Sequence, residues 1–172
     1  MTNHVERYTT KELETHIRAI YEKLIPLAKK DGVYKELDDY FDTGTPSGKD
    51  GSICFSDEEG YHYCVVERGT LRENIVTESL AEITYQAISS DIFWMAVRYE
   101  REHRVKNQDF RRLLFEKEMQ YWKVLGEDFS TRAKLKIEDA LEKAPFSIED
   151  SCPCMAASRN LESVVSRLLS CG

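Results

Sequence analysis

The chain has 172 residues, of which 41% are hydrophobic and 32% charged, with a net charge of -7 and a pI near 5.2. A chain of this length can bury enough surface to fold as one domain without disulfides or metals. The acidic balance argues against binding nucleic acid through a broad basic face, because contacts to phosphates supply most of such affinity. No apolar run approaches the length of a membrane span. The N-terminal residues lack the apolar core of a signal peptide.

The cysteines indicate a reducing compartment. An odd number of cysteines without a secretion signal is typical of reduced thiols, which predicts a cytoplasmic protein. Cys152 and Cys154 have one residue between them rather than the two of zinc ribbons and thioredoxin-like sites. The spacing therefore favours unligated thiols over a metal site.

The N-terminal third begins with a helix. Thr9, followed by Glu12, is typical of a capping box. Asp31 and Gly32 are expected to end this helix, and Pro26 to kink or shorten its last turn. The apolar residues that recur at helical spacing are Leu13, Ile17, Ile20, Tyr21, Leu24 and Ala28.

A small sheet is expected next. Residues 33–51 are polar and rich in turn formers. Two strand-like runs follow, SICF and YHYCVVE, joined by SDEEG, which is typical of a hairpin turn. The run ENIVT can return alongside as a third strand. The pattern predicts an antiparallel hairpin or three-stranded sheet near residues 52–77.

The rest of the chain is predicted to be helical. Ser79 and Glu82 suit a second capping box, opening a long helix to about residue 106. Further helices are predicted at about 109–125, with Gly126 after the end, from near residue 130 to just before Pro145, and at about 160–170. The fold class is therefore α+β, a mostly α-helical single domain. We place this domain at residues 1–150, with a C-terminal helical appendage at 151–172.

The stretch from Arg98 to Lys123 carries a net charge of +3, which raises the possibility of a nucleic-acid site. Opposite charges nevertheless stand four residues apart, as in the pairs of an exposed helix face: Arg98–Glu102, Glu100–Arg104, Glu102–Lys106 and Arg112–Glu116. A salt-bridged helix face is therefore favoured. Glu100 and His103 also form one Glu-x-x-His unit of a di-iron bundle, but such a site needs two units. A hydrogen-bonded histidine at the edge of the core explains His103 more simply.

Other catalytic motifs are incomplete. The segment DTGTPSGKDGS at residues 42–52 contains fragments similar to an aspartic protease motif and a phosphate-binding loop. An aspartic protease needs a second aspartate, which is missing here. A phosphate-binding loop needs a different spacing and a buried strand before it, and both are also missing. No nucleophile elbow or triad can be assembled, so we expect neither catalysis nor a metal or other cofactor.

The acidic residues are concentrated in one region. Residues 31–60 contain nine acidic and two basic residues, a net charge of -7 that equals the imbalance of the whole chain. Such a region can be a solvated loop, or it can be a surface that steers a basic partner into contact. Aromatic residues among the acids favour an interface. The candidate binding residues are Glu36, Asp38, Asp39, Tyr40, Asp42, Asp57, Glu58 and Glu59.

The order of motifs over residues 60–146 resembles a known family. A hairpin ending in ERG is followed by a long helix with Tyr99, Glu100 and His103, then by QDFRRLLF at residues 108–115 and APF at 144–146. Together these are similar to the immunity protein 63 family of bacterial polymorphic toxin systems.

The resemblance implies a protein that binds the C-terminal domain of a cognate toxin and blocks it, without catalysis or cofactor. The acidic region suits a basic toxin such as a nuclease. Neither direct binding to nucleic acid nor a membrane is implied. The alternative is a regulatory or adaptor protein that binds a basic protein partner.

Overall fold

The computed structural model describes residues 7–42 and 50–147. Five helices and four strands occur in this part of the chain. In chain order they are α1 (Thr10–Glu22), α2 (Ile25–Lys30), β1 (Tyr40–Phe41), β2 (Gly51–Ser56), β3 (Tyr61–Glu67), β4 (Thr70–Thr77), α3 (Leu80–Glu102), α4 (Phe110–Leu125) and α5 (Glu127–Lys143).

The predicted first helix is two helices. Both hydrogen bonds of the capping box between Thr9 and Glu12 are present, and α1 buries Leu13, Ile17 and Tyr21. The chain then turns and starts again as α2. Pro26 lies in the first turn of α2, where a missing N–H leaves no helical hydrogen bond unmade. The proline therefore begins a new helix instead of kinking the old one.

The antiparallel sheet predicted near residues 52–77 is confirmed, and both β2 and β4 are longer than expected. Strand β3 lies in the centre and pairs with β2 and β4 in antiparallel fashion. Strand β1 was not predicted; it adds two residues parallel to β2 and forms the edge opposite β4. Such a short strand carries too few residues to show a periodicity.

The long helix α3 begins after Ser79 as predicted, but its capping box is incomplete and it ends earlier than expected. The Ser79 hydroxyl accepts a hydrogen bond from the Glu82 backbone at 3.2 Å. The Glu82 carboxylate, however, bonds to Gln86 and pairs with Arg132, so the capping box is one-sided. The helix ends at Glu102 rather than near residue 106, because His103 already leaves the helical conformation.

A single residue, Gly126, joins α4 and α5. It ends α4 with φ 137° and serves at the same time as the residue before the first turn of α5. Residues with a side chain rarely adopt this conformation. Helix α5 consequently begins at Glu127, three residues earlier than predicted.

The main core lies between one face of the sheet and the helices. Helices α1 and α3 pack on the sheet, and α4 and α5 pack successively beyond α3. Trp122 is fully buried and stacks on Tyr85 with ring centroids 4.5 Å apart. A smaller apolar cluster of Ile53, Cys64 and Val66 lies on the opposite face of the sheet. The α+β fold class is thus confirmed.

Some predictions fall on residues outside this description. They are the last helix at 160–170, the pair Cys152 and Cys154, and most of the segment at 42–52. The division into a domain at 1–150 and an appendage at 151–172 stays a prediction. Across residues 7–42 and 50–147, no helix combines the length and apolarity that crossing a membrane requires.

Candidate protein-binding surface

Residues 36–42 form an extended segment with two different sides. Successive side chains of an extended chain point in opposite directions. Glu36, Asp38 and Asp42 are exposed, whereas the intervening Leu37 and Asp39 are buried. We call the three exposed carboxylates the acidic strip. The alternation explains how a very polar segment can still be anchored to the core.

The acidic strip follows one edge of the sheet. Tyr40 and Phe41 form β1, which pairs with Ile53 and Cys54 of β2. Phe41 packs against the main core, and the Arg18 guanidinium lies 5.3 Å from the centre of its ring. Only the backbone of Tyr40 belongs to the described part of the chain, so its predicted role as an interface anchor stays a prediction.

The second group of predicted acids forms the turn between β2 and β3. Asp57 closes this turn by accepting hydrogen bonds from the Glu59 backbone at 2.8 Å and from His62 Nε2 at 2.8 Å. These bonds lower the pKa of Asp57 although its partial desolvation acts in the opposite direction. Glu58 and Glu59 are exposed, and neither forms an ion pair within the described residues. Asp57 thus shapes a turn that presents two unpaired carboxylates.

Lys35 ties the acidic strip to the body of the protein. Its ammonium lies 2.7 Å from Asp38 and 2.7 Å from Asp91, which is buried on α3. Its backbone carbonyl accepts a hydrogen bond from the Tyr21 hydroxyl at 2.9 Å. Contacts to α1 and α3 therefore fix the start of the segment. The pair of Lys35 and Asp91 was not predictable from local patterns, because 56 positions separate the two residues.

Asp39 behaves differently from the other predicted binding residues. Its side chain points inward, only 6% of the residue is exposed, and Oδ2 has no hydrogen-bond partner in the described structure. Burial, and after it the charge of Asp91, raises the pKa of Asp39 to about 8. The group is therefore mostly protonated at pH 7. Asp39 adds no exposed carboxylate to the acidic strip.

Two further acids of the 31–60 region serve the fold. Asp31 pairs with Lys117 at 2.6 Å and accepts a hydrogen bond from the Tyr121 hydroxyl at 3.0 Å. Asp50 accepts a hydrogen bond from the Gly69 backbone at 3.0 Å. The acidic count therefore overstates the charge available to a partner.

Of the four ion pairs predicted around the stretch Tyr99–Glu118, two are formed. Both oxygens of the buried Glu100 carboxylate bond to Arg104, at 2.7 and 2.8 Å. Arg98 lies 3.4 Å from Glu102. The other two predicted pairs, Glu102–Lys106 and Arg112–Glu116, are not formed between the described side chains. Lys106 lies beyond the end of α3, and the Arg112 guanidinium lies 4.2 Å from the centre of the Phe146 ring.

His103 is hydrogen-bonded as expected, but it is exposed rather than at the edge of the core. Nδ1 donates to the Tyr99 carbonyl at 2.9 Å, and the imidazole stacks on the Tyr99 ring at 4.0 Å. Glu100 and His103 are thus each engaged with other groups. In residues 7–42 and 50–147, no three His, Cys, Asp or Glu side chains are grouped to hold a metal ion.

Comparison with known proteins gave one match. The model of the family described as Immunity protein 63 matches residues 57–139, slightly less than half of the chain. This confirms the resemblance over the turn at 57–59, β3, β4, α3, α4 and most of α5. The acidic strip lies N-terminal to the matched range. No curated protein and no solved structure matches the chain.

Proposed function

Starting from the match to the immunity protein 63 family over residues 57–139, we propose that this protein is a bacterial immunity protein. It binds the C-terminal domain of a cognate polymorphic toxin in the cytoplasm and neutralises it by stoichiometric binding rather than by catalysis. The family match is the observation that carries this proposal. The adaptor alternative has no comparable observation in its favour.

The surface proposed for toxin binding combines the acidic strip with Tyr40 and with the turn at residues 57–59. The carboxylates of Glu36, Asp38 and Asp42 face outward on a segment that Lys35 holds in place. Complementary charge accelerates association and disfavours wrong partners. A nuclease fits this surface, because a toxin that binds phosphates exposes basic residues that acidic groups can cover.

Co-expression tests the proposal directly. The toxin domain encoded beside this gene is expressed with and without the protein, and growth rescue and co-purification are both scored. Rescue accompanied by a stable complex is the expected result. A toxin that still kills, and that forms no complex, would refute toxin neutralisation and leave the adaptor alternative.

A charge-reversal experiment tests the surface separately. We expect the double variant Asp38→Lys and Asp42→Lys to bind the toxin at least about tenfold more weakly. The loss should come mainly from slower association, and added salt should reduce the difference in association rate between the variant and the wild type. The control is Glu138→Lys with Glu142→Lys on α5, which makes the same charge change and likewise removes one ion-paired carboxylate. Both variants should unfold at temperatures close to that of the wild type, since exposed substitutions change stability by only about 0.5 kcal/mol. Equal toxin affinities in the two variants would rule out the acidic strip as the contact surface.

A further inference from the structure

A groove of about 320 Å³ lies beside the acidic strip, between residues 33–35 and α3. Tyr34 and Trp94 contribute aromatic surface, and Val97 contributes apolar surface from the helix. The groove belongs to the same stretch of chain as the acidic strip, because Lys35 lines the groove and also pairs with Asp38. One partner can therefore contact both.

The exposure of Trp94 is the most unusual feature of this groove. The residue is 41% exposed, whereas Trp122, the other tryptophan of the chain, is fully buried. On either side of Trp94, Phe93 and Met95 are buried, so the helix itself is firmly packed. Trp, Tyr and Arg dominate the binding energy of protein interfaces because they bury a large area and keep a polar group. Tyr34, Trp94 and Arg98 bring all three types together here.

The rim of the groove is basic in an otherwise acidic protein. Arg98 and Arg101 line the groove from α3. Lys29 is not part of the lining, but its ammonium lies 5.2 Å from the centre of the ring of Tyr34, which does line the groove. Among the described side chains, the carboxylate partner of Arg98 is the exposed Glu102 at 3.4 Å. Within the described residues, Arg101 and Lys29 have no carboxylate partner. An occupant that brings carboxylates would therefore be attracted to this rim.

We propose that this groove docks an acidic segment of the toxin, with an apolar or aromatic side chain seated between Tyr34 and Trp94. The inference rests on the proposed function and extends it, since the toxin then presents a basic region to the acidic strip and an acidic segment to the groove. Adjacent patches of opposite sign fix the orientation of a partner, because any shifted arrangement places like charges together. A nucleic acid fits less well, because its phosphates would be repelled by the neighbouring strip.

Fluorine NMR can observe the groove directly. The protein is labelled with fluorotryptophan, which gives one resonance for Trp94 and one for Trp122, and it is titrated with the unlabelled, catalytically inactivated toxin domain. We expect the Trp94 resonance to shift on binding while the Trp122 resonance stays in place. The wild type could bind the toxin without any shift of the Trp94 resonance, and the variants described below could bind it as tightly. That result would overturn the docking proposal and leave the proposed function standing. Failure of the wild type to bind the toxin would instead overturn the proposed function, and the docking proposal with it.

Two variants measure the contribution of the groove. Arg101→Glu and Trp94→Ala should each weaken toxin binding about tenfold or more, as expected for central interface residues. Arg101→Glu replaces an exposed side chain and leaves the fold intact, so it keeps the test valid should Trp94→Ala destabilise the protein. The matched controls are Lys123→Glu on α4 and Leu135→Ala on α5, both exposed and distant in sequence from the groove. Controls that lose as much affinity as the groove variants would overturn the proposal.

Two other occupants are tested with the same labelled protein. A Trp94 resonance that moves with the concentration of the protein alone would identify a second copy of this chain as the occupant. A shift on adding a duplex oligonucleotide would identify a nucleic acid. Either result would overturn docking of an acidic toxin segment.

Discussion

Asp39→Asn should make the protein more stable at neutral and alkaline pH. The substitution keeps the size of the side chain and removes its ability to ionise. Asp39 is almost fully buried, with one oxygen lacking a partner in the described structure, and burial raises its pKa to about 8. The folded protein therefore holds a proton on Asp39 that the unfolded chain releases near pH 3.8.

The sign and size of the effect follow from this difference. A raised folded pKa contributes stability that is complete below pH 3.8 and is lost as the pH rises towards 8. Each pH unit in that interval removes about 1.4 kcal/mol from the free energy of unfolding. Water entry limits the penalty of a buried charge. We therefore expect Asp39→Asn to gain about 2–4 kcal/mol over the wild type between pH 5 and pH 8.

Urea unfolding of both proteins between pH 5 and pH 8 measures this gain. Burial raises the pKa of Glu118 to about 7, so Glu118 also lowers the free energy of unfolding as the pH rises, in both proteins alike. The difference in free energy of unfolding between the two proteins therefore isolates the effect of Asp39. The control is Asp38→Asn, which removes the neighbouring carboxylate, 70% exposed, and should change stability by less than about 1 kcal/mol. A difference between the wild type and Asp39→Asn that stays constant over this pH range would refute the reasoning.

Two further predictions concern the fold. Gly60→Ala should destabilise the protein by more than about 2 kcal/mol in thermal unfolding, because the new Cβ would lie 2.9 Å from the Thr77 carbonyl oxygen. The control is Gly69→Ala, where nothing lies within 4 Å, and it should cost only the ~1 kcal/mol of its positive φ. Equal losses of stability in the two variants would contradict the clash at Gly60. Asp109→Asn should cost about 2–4 kcal/mol at pH 7, because the buried carboxylate binds Arg111 and the Ser147 backbone. Burial alone would raise the pKa of Asp109, but these bonds lower it to about 2. The wild type should therefore lose this stability as the pH falls from 3.8 to 2. An Asp109→Asn variant as stable as the wild type at pH 7 would disprove the role of the carboxylate.

The parts of the fold that were predictable are those that short-range patterns determine. The capping box at Thr9 and the helical spacing of Leu13, Ile17 and Tyr21 need only neighbouring residues, and both are present. The same holds for the alternating strands around the hairpin. Helix ends were less predictable, because the end of α3 and the start of α5 depend on one residue each, His103 and Gly126, in contexts that periodicity does not encode.

The candidate surface was only partly predictable because charge counting ignores the direction of side chains. All acids between residues 31 and 60 contribute equally to a net charge, yet Asp31 and Asp39 are inside the protein and Glu36 and Asp42 are outside. The charged groups that act on Asp39 include Arg18 on α1 and Asp91 on α3, and they come near it only in the folded chain. The groove was missed for the same reason, since residues 33–35 and Trp94 meet only in the folded chain.

The alternation along residues 36–42 allows binding and folding to be separated by experiment. Outward residues such as Asp42 are in contact with solvent, so a charge change there alters the approach of a partner and little else. Inward residues such as Leu37 and Asp39 contact the core, so a change there alters the free energy of unfolding first. A toxin that binds this segment should therefore respond strongly to Asp42→Lys at unchanged stability. It should bind Asp39→Asn with nearly wild-type affinity at pH 7, because that variant keeps every outward carboxylate.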